Sequence, residues 1–177
     1  MNTQNAVKTH FFLLVFILIA GISKSQTAGN FKLISSAFEE GKPIPAIYTC
    51  DSTNISPPLS WSGFPEKTKS FAIIMDDPDA PMDNWVHWVL YNIPATVTRL
   101  EEKLIAAKIN AIDGINGWGD KGYNGPCPPD GTHHYNFKLY ALDKTLTPEE
   151  GMTKYALLEA MKGHILSEAT LTGLFRN

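Results

Sequence analysis

The chain has 177 residues, 44% of them hydrophobic and 19% charged, which suits one globular domain and is short for two. Four Trp, six Tyr and nine Phe exclude a disordered chain, because they supply the apolar area a core needs. A formal net charge of −3, with no run of Lys or Arg, excludes charge-driven nucleic-acid binding.

Residues 1–10 are polar and carry Lys8 and His10, and residues 11–22 are then continuously apolar from Phe11 to Ile22. Twelve residues at ~1.5 Å each make roughly 18 Å of helix, short of the ~30 Å hydrocarbon core. Ser23-Lys24-Ser25 follows, with small residues where a signal peptidase reads, so cleavage before Gln26 is expected. On this reading residues 1–25 are a signal peptide and residues 26–177 one domain, exported to a periplasm or secreted and not transmembrane once processed. Residues 1–25 contain two lysines and no acid, so the net charge of the remainder moves from −3 to −5. An exported chain with two cysteines, Cys50 and Cys127, invites a disulfide. Both lie in loop-like sequence, and sequence does not place their Cα atoms within bonding range.

Along the remaining chain, Gly and Pro at short intervals point to many short strands. Residues 71–75 are an apolar run ended by Asp76-Asp77-Pro78, the pattern of a strand buried on both faces. Residues 85–92 are expected to form a second strand, with His87 on a face shared with Trp85, Val89 and Tyr91. Residues 133–142 form a third. Its two-residue period puts His133, Tyr135, Phe137, Leu139 and Ala141 on an inward face and His134 on the other. One segment reads as a helix. Thr147-Pro148-Glu149-Glu150 supplies an N-cap, Pro at the first position and Glu at the third, and Met152, Tyr155, Leu158 and Met161 recur about once per turn. Gly163 suits the position just past the end, where positive φ is wanted. These elements predict a mainly antiparallel β domain with one or two helices near its C-terminus.

Residues 114–131 hold six of the 13 glycines and three prolines. Long loops inside compact domains are usually functional, so this segment is expected to cradle a ligand with backbone N–H groups directed at an anion. Asp77-Pro78-Asp79-Ala80-Pro81 follows the first strand and sets two carboxylates at a strand end, where they can orient imidazoles. His87 and His133, each with aromatic neighbours, can line one pocket.

Asp77-Pro78-Asp79-Ala80-Pro81, Trp85-Val86-His87-Trp88, Gly125-Pro126-Cys127-Pro128-Pro129 and His133-His134-Tyr135 occur in that order and spacing. Together they strongly resemble the phosphatidylethanolamine-binding protein family, in its bacterial Raf-kinase-inhibitor-like branch of the YbhB/YbcL type. Asn54-Ile55-Ser56-Pro57-Pro58-Leu59-Ser60-Trp61 and Ala160-Met161-Lys162-Gly163-His164-Ile165-Leu166 resemble the same branch, so the similarity runs from about Phe31 to the C-terminus. The resemblance implies a large central antiparallel sheet, a smaller flanking sheet and an anion-binding pocket at one end. Its ligand-binding positions fall on Asp77, Asp79, Pro81, His87, Gly125, Pro129, His133 and Tyr135, for a phosphate, a phosphoethanolamine headgroup or another small anion. It implies neither cofactor nor metal, and it leaves a protein partner and a homodimer open. The family usually has His-Arg-Tyr where this chain has His133-His134-Tyr135, so an ion pair at position 134 is expected to be lost while the anion site remains.

Two catalytic alternatives carry less weight. A hydrolase would use Cys127 as nucleophile with a pocket histidine, but Pro128 has no N–H to complete an oxyanion hole. A metal site could draw on His87, His133 and Asp77, whereas His133 and His134 point to opposite faces of a strand and cannot share an ion. The reading is a non-enzymatic binding protein for a small anion or phosphoryl group, with a role in regulating another protein left open.

Overall fold

The computed structural model describes residues 30–147 and 151–176. The proposed signal peptide lies outside the described residues, as do Pro148, Glu149 and Glu150.

Two sheets and one helix make three layers. The smaller sheet has the order β1-β3-β6, from β1 (Lys32–Ile34), β3 (Leu59–Ser62) and β6 (Arg99–Leu100). The larger has the order β2-β9-β8-β4-β5-β7. Its members are β2 (Lys42–Pro43), β4 (Ser70–Asp77), β5 (Trp85–Pro94), β7 (Ile112–Asp113), β8 (Thr132–Leu142) and β9 (Ile165–Arg176). All pairings are antiparallel except the short one between β2 and β9. Strand β4 lies between β5 and β8, and every one of its residues is buried, as its continuous apolar run requires.

The larger sheet buries both faces, each against a different layer. Phe71, Ile73 and Met75 of β4 pack with Phe137 and Leu139 of β8 toward Leu33, Leu59, Trp61 and Leu100 of the smaller sheet. Ala72 and Ile74, on the opposite face, meet Val89, Tyr91 and Tyr140 and the helix residues Leu157 and Met161. The alternation expected in β8 is present: His133, Tyr135, Phe137, Leu139 and Ala141 are buried while His134 is exposed.

Three local features differ from expectation. Helix α1 spans Lys154–Met161 and is capped by Thr153, whose hydroxyl accepts from the Ala156 N–H, so it begins after Thr147. Its buried residues are Leu157 and Met161, four apart on one face, whereas Tyr155 is 68% exposed. Gly163 has φ +77°, as its place past the helix end demands. Beyond it the chain becomes β9, a twelve-residue strand paired along all of β8, so among the described residues one helix lies near the C-terminus, within the one or two expected. The alternation of buried Ala169, Leu171 and Gly173 was the available sequence signal for that strand.

The face assignment in β5 also needs correction. Met75 pairs with Trp88 but Asp76 pairs with Val86, so His87 is the extra residue of a β-bulge. Val89 and Tyr91 therefore face the helix layer. His87 instead faces the side of Tyr135, with ring centroids 5.2 Å apart, next to Trp88 of the other core.

Candidate functional site

A cavity of about 360 Å³ opens at the end of the larger sheet where β4 stops and β5 and β8 begin. Three segments supply its walls. Asp77, His87 and His133 come from the strand ends, Ala80, Pro81 and Met82 from the β4–β5 connection, and Trp118, Cys127 and Pro129 from the loop 114–131. Trp85 completes the lining. Of the expected positions, Asp77, Pro81, His87, Pro129 and His133 line the cavity. Asp79, Gly125 and Tyr135 do not, although each acts on a residue that does or on its neighbour.

The three carboxylates of Asp76-Asp77-Pro78-Asp79 have three different fates. Asp77 is buried, and its Oδ2 accepts from Nδ1 of His133 at 2.8 Å. Its Oδ1 accepts from the Asp79 backbone N–H at 2.9 Å, closing an Asx turn. A carboxylate only accepts, so the His133 proton sits on Nδ1 and the ring is fixed in orientation. Asp79 points away from the cavity. Its Oδ2 accepts from the backbone N–H of His134 at 2.8 Å and from the ring Nδ1 of His134 at 2.7 Å. Those two bonds, the backbone one first, hold the Asp79 carboxyl below its usual range. The permanent ion pair that an arginine would make at position 134 is absent, as expected, and the His134 ring reaches the Asp79 carboxylate by a hydrogen bond in its place.

Asp76 faces the helix layer, since successive strand residues alternate. Its Oδ2 accepts from Nζ of Lys138 and of Lys154, both at 2.8 Å, and from the Asn84 amide at 3.2 Å. The carboxylate is fully buried, and Oδ1 has no partner among the described residues. Sequence reasoning passed over Asp76. Its signal was the strand period, which sends it to the face opposite Asp77.

The loop 114–131 works differently from the expected anion cradle. The N–H of Gly125 donates to Oδ1 of Asn54 at 2.8 Å, and that of Asn124 to the carbonyl of His87 at 3.0 Å. Both donors are spent inside the protein. The carbonyls of Asn124 and Gly125 accept from His87 Nδ1 at 2.8 and 3.1 Å. Because a carbonyl only accepts, His87 is the Nδ1–H tautomer, and Nε2 carries a lone pair. Burial holds the His87 imidazole below its ordinary value, against the opposing pulls of the Asn124 carbonyl and the Asp77 carboxylate. The glycines permit this close packing. A Cβ on Gly125 would collide with the Tyr48 carbonyl oxygen, and one on Gly117 would stand 2.6 Å from the Trp85 indole.

Cys50 and Cys127 form a disulfide with Cα atoms 5.4 Å apart. It runs beside a hydrogen bond from the Cys50 N–H to the Pro126 carbonyl at 3.0 Å, so the loop is strapped to the segment around residues 48–54. Cys127 is therefore not a free nucleophile, and the hydrolase alternative built on its thiol is overturned. Among the described residues no group of three His, Cys, Asp or Glu side chains converges as metal ligands. His87 donates Nδ1–H to carbonyls and His133 donates it to Asp77, which leaves Nε2 as the remaining nitrogen of each ring.

Tyr135 is fully buried behind the two rings, and its hydroxyl has no partner of acceptable geometry among the described residues. Burial first, then the nearby Asp77 carboxylate, push its phenol far up, so it stays a neutral donor. The aromatic wall was missed in sequence. Trp118 is half-exposed and meets both Trp85 and His87 edge-on, with centroids 5.4 and 5.0 Å apart. The signal was an indole between Gly117 and Gly119 in a long loop. Met82 at the rim is 79% exposed. A wider groove of about 700 Å³ along residues 96–109 mixes Arg99, Lys103 and Lys108 with Glu101 and Glu102, and contains no comparable buried histidine.

Comparison with known proteins converges on one family. Residues 34–176 match the family model described as phosphatidylethanolamine-binding protein. A UPF0098 protein of Methanothermobacter thermautotrophicus is 52% identical over 147 residues, covering 81% of this chain and 97% of the relative. A UPF0098 protein of Chlamydia muridarum is 49% identical over 149 residues, with the same coverage. Among solved structures, the phosphatidylethanolamine-binding protein homologue CT736 of Chlamydia trachomatis superposes with a TM-score of 0.79 at 45% identity. It matches 83% of this chain and 97% of its own. YbcL of E. coli, described as a member of the mammalian family of that name, gives 0.76 at 34% identity over 83% and 98% of the two chains.

Proposed function

Because this chain belongs to the phosphatidylethanolamine-binding protein family, we propose that its cavity binds a small anion or phosphoryl group without catalysing a reaction on it. The observation that carries this reading is the buried Asp77–His133 pair standing beside His87 in a cavity of about 360 Å³. Nδ1 of His133 is fixed on the carboxylate, so a proton gained on Nε2 makes an imidazolium whose charge Asp77 already balances. Such a ring donates to an anion at modest cost, and a hydrogen bond to a charged group contributes roughly 1.5–3 kcal/mol. Two or three of them hold a phosphoryl group with micromolar to millimolar affinity. The chain's negative balance does not prevent this, because beyond ~8 Å physiological salt screens the overall field.

An exported location fits the same reading. A disulfide persists in an oxidising compartment, and residues 11–22 have the length of a signal-peptide core rather than a span. Among the described residues no helix is long and apolar enough to cross a membrane. Titration calorimetry with inorganic phosphate and with phosphoethanolamine tests the assignment. His133→Ala is expected to weaken binding at least tenfold, and His134→Ala, whose ring is tied to Asp79 outside the cavity, to leave it within twofold. The reverse order would place the anion elsewhere.

A further inference from the structure

One edge of the smaller sheet is unpaired among the described residues, because β6 has β3 on one side and no strand on the other. The N–H of Trp61 donates to the Thr98 carbonyl at 3.0 Å, and Ser60 stands opposite Arg99. Antiparallel backbones alternate, so Thr98 and Leu100 direct their N–H and C=O groups at β3, while Arg99 and Glu101 direct theirs outward. The Glu101 N–H has no backbone acceptor among the described residues. Natural edges are commonly blocked by proline, a bulge or a covering segment. Here no proline occurs from residue 95 to residue 111, and the groove of about 700 Å³ along residues 96–109 lies beside the edge. Its lining includes Ile105, which is 52% exposed.

Charge decides what fits there. Leu100 is buried in the core between the sheets, so Arg99 and Glu101 lie on the outer face, with Arg99 Nε 3.0 Å from Glu101 Oε1 and both side chains exposed. This triplet is its own complement. A second β6, antiparallel across a two-fold axis at Leu100, sets each Arg99 opposite Glu101 of the other copy. Those two residues are the ones whose backbone groups point outward, so each such pair exchanges two N–H to C=O hydrogen bonds across the axis. The groove's charged residues, Arg99, Lys103 and Lys108 against Glu101 and Glu102, nearly cancel, so the net charge of −3 on the whole chain is not concentrated at this edge. The opposite edge offers no such match, since an axis at Leu33 of β1 sets Lys32 opposite Ile34. We infer that β6 is a self-association edge, at which two copies of this chain pair through a two-fold axis at Leu100 and join two three-stranded sheets into one. The groove and the cavity at the end of the larger sheet share no lining residue among those described, so the inference is independent of what the cavity binds. A short strand edge with a groove rim belongs with small, transient interfaces, and the association is accordingly weak.

The experiment is sedimentation equilibrium of the purified protein at low ionic strength, with Arg99→Glu and Glu101→Arg measured alone and mixed. Arg99→Glu sets acid against acid at both cross-axis pairs, and Glu101→Arg sets base against base. Like charges directly opposite in a strand pair are destabilising, so each variant alone is expected to dimerise at least tenfold more weakly than the native protein. An equimolar mixture of the two sets acid against base at both pairs again, and is expected to associate within about threefold of the native strength. Both substitutions fall on exposed side chains, where changes in folding stability are usually small, and circular dichroism checks that each variant is folded. A native protein that stays monomeric up to about 1 mM overturns the inference. So does native association that both variants retain, since another surface would then be responsible. Variants that lose association and do not recover it on mixing overturn the axis at Leu100. The native measurement stands even if a variant does not fold.

Discussion

Replacing both Cys50 and Cys127 by Ser removes a cross-link between residues 77 apart in sequence. In the chain-entropy account, opening a loop of that length frees the unfolded chain by about 4.5 kcal/mol at 25 °C. The native state should lose little in compensation. The Cys50 N–H still reaches the Pro126 carbonyl, the Gly125 N–H still reaches Asn54, and the Tyr123 hydroxyl still donates to the Tyr48 carbonyl at 2.6 Å. The loss should therefore fall on the unfolded side, as a drop of about 3–4.5 kcal/mol, or roughly 10–15 °C in Tm for a domain of this size. Urea unfolding of the native and double-Ser proteins measures it. The slope m is expected to rise in the variant, because an uncrosslinked chain exposes more surface. A loss below about 1.5 kcal/mol with unchanged m would refute the reasoning, since the unfolded chain would then not have been the state constrained. Phosphate affinity in the folded variant is expected to stay within threefold, because His87 is oriented by carbonyls and not by the disulfide.

Asp76→Ala leaves the ammonium groups of Lys138 and Lys154 without their shared carboxylate, and is expected to cost about 3 kcal/mol in urea unfolding. Asp76→Asn, which keeps an acceptor, should cost less. The His87 ring is expected to titrate by NMR below the usual ~6.5 for imidazole. The unfolded chain then binds a proton that the folded chain resists, so its contribution to stability is complete above about pH 6.5 and is lost as pH falls toward the folded value. His87→Gln should flatten that part of the stability profile, and an unchanged profile would count against the assignment. The intact mass of the protein purified from its own cells is expected to correspond to a chain beginning near Gln26, and retention of Met1 would overturn the proposed signal peptide.

Much of this protein is determined locally. The continuous apolar run of β4 and the strict alternation of β8 follow from a two-residue period, and a sheet covered on both faces turns that period directly into burial. Where the ladder is regular, as between His133 and Ala141, the sequence alone says which side chains share a face. The order and spacing of Asp77-Pro78-Asp79-Ala80-Pro81, His87 and His133 carry the family for the same reason, because strand ends keep their contents in register. What the sequence could not determine depends on contacts between distant segments. A bulge opposite Met75 and Asp76 shifts His87 onto the cavity side, and nothing in Trp85-Val86-His87-Trp88 announces it. The fate of the Gly125 and Asn124 donors was open until Asn54 and the His87 carbonyl met them. That meeting reverses the polarity expected of the loop, from N–H groups aimed at a ligand to carbonyls aimed at a histidine. The pairing of Cys50 with Cys127 is of the same kind. Local chemistry fixes which groups must be satisfied, and only the tertiary structure brings the partner that satisfies each one.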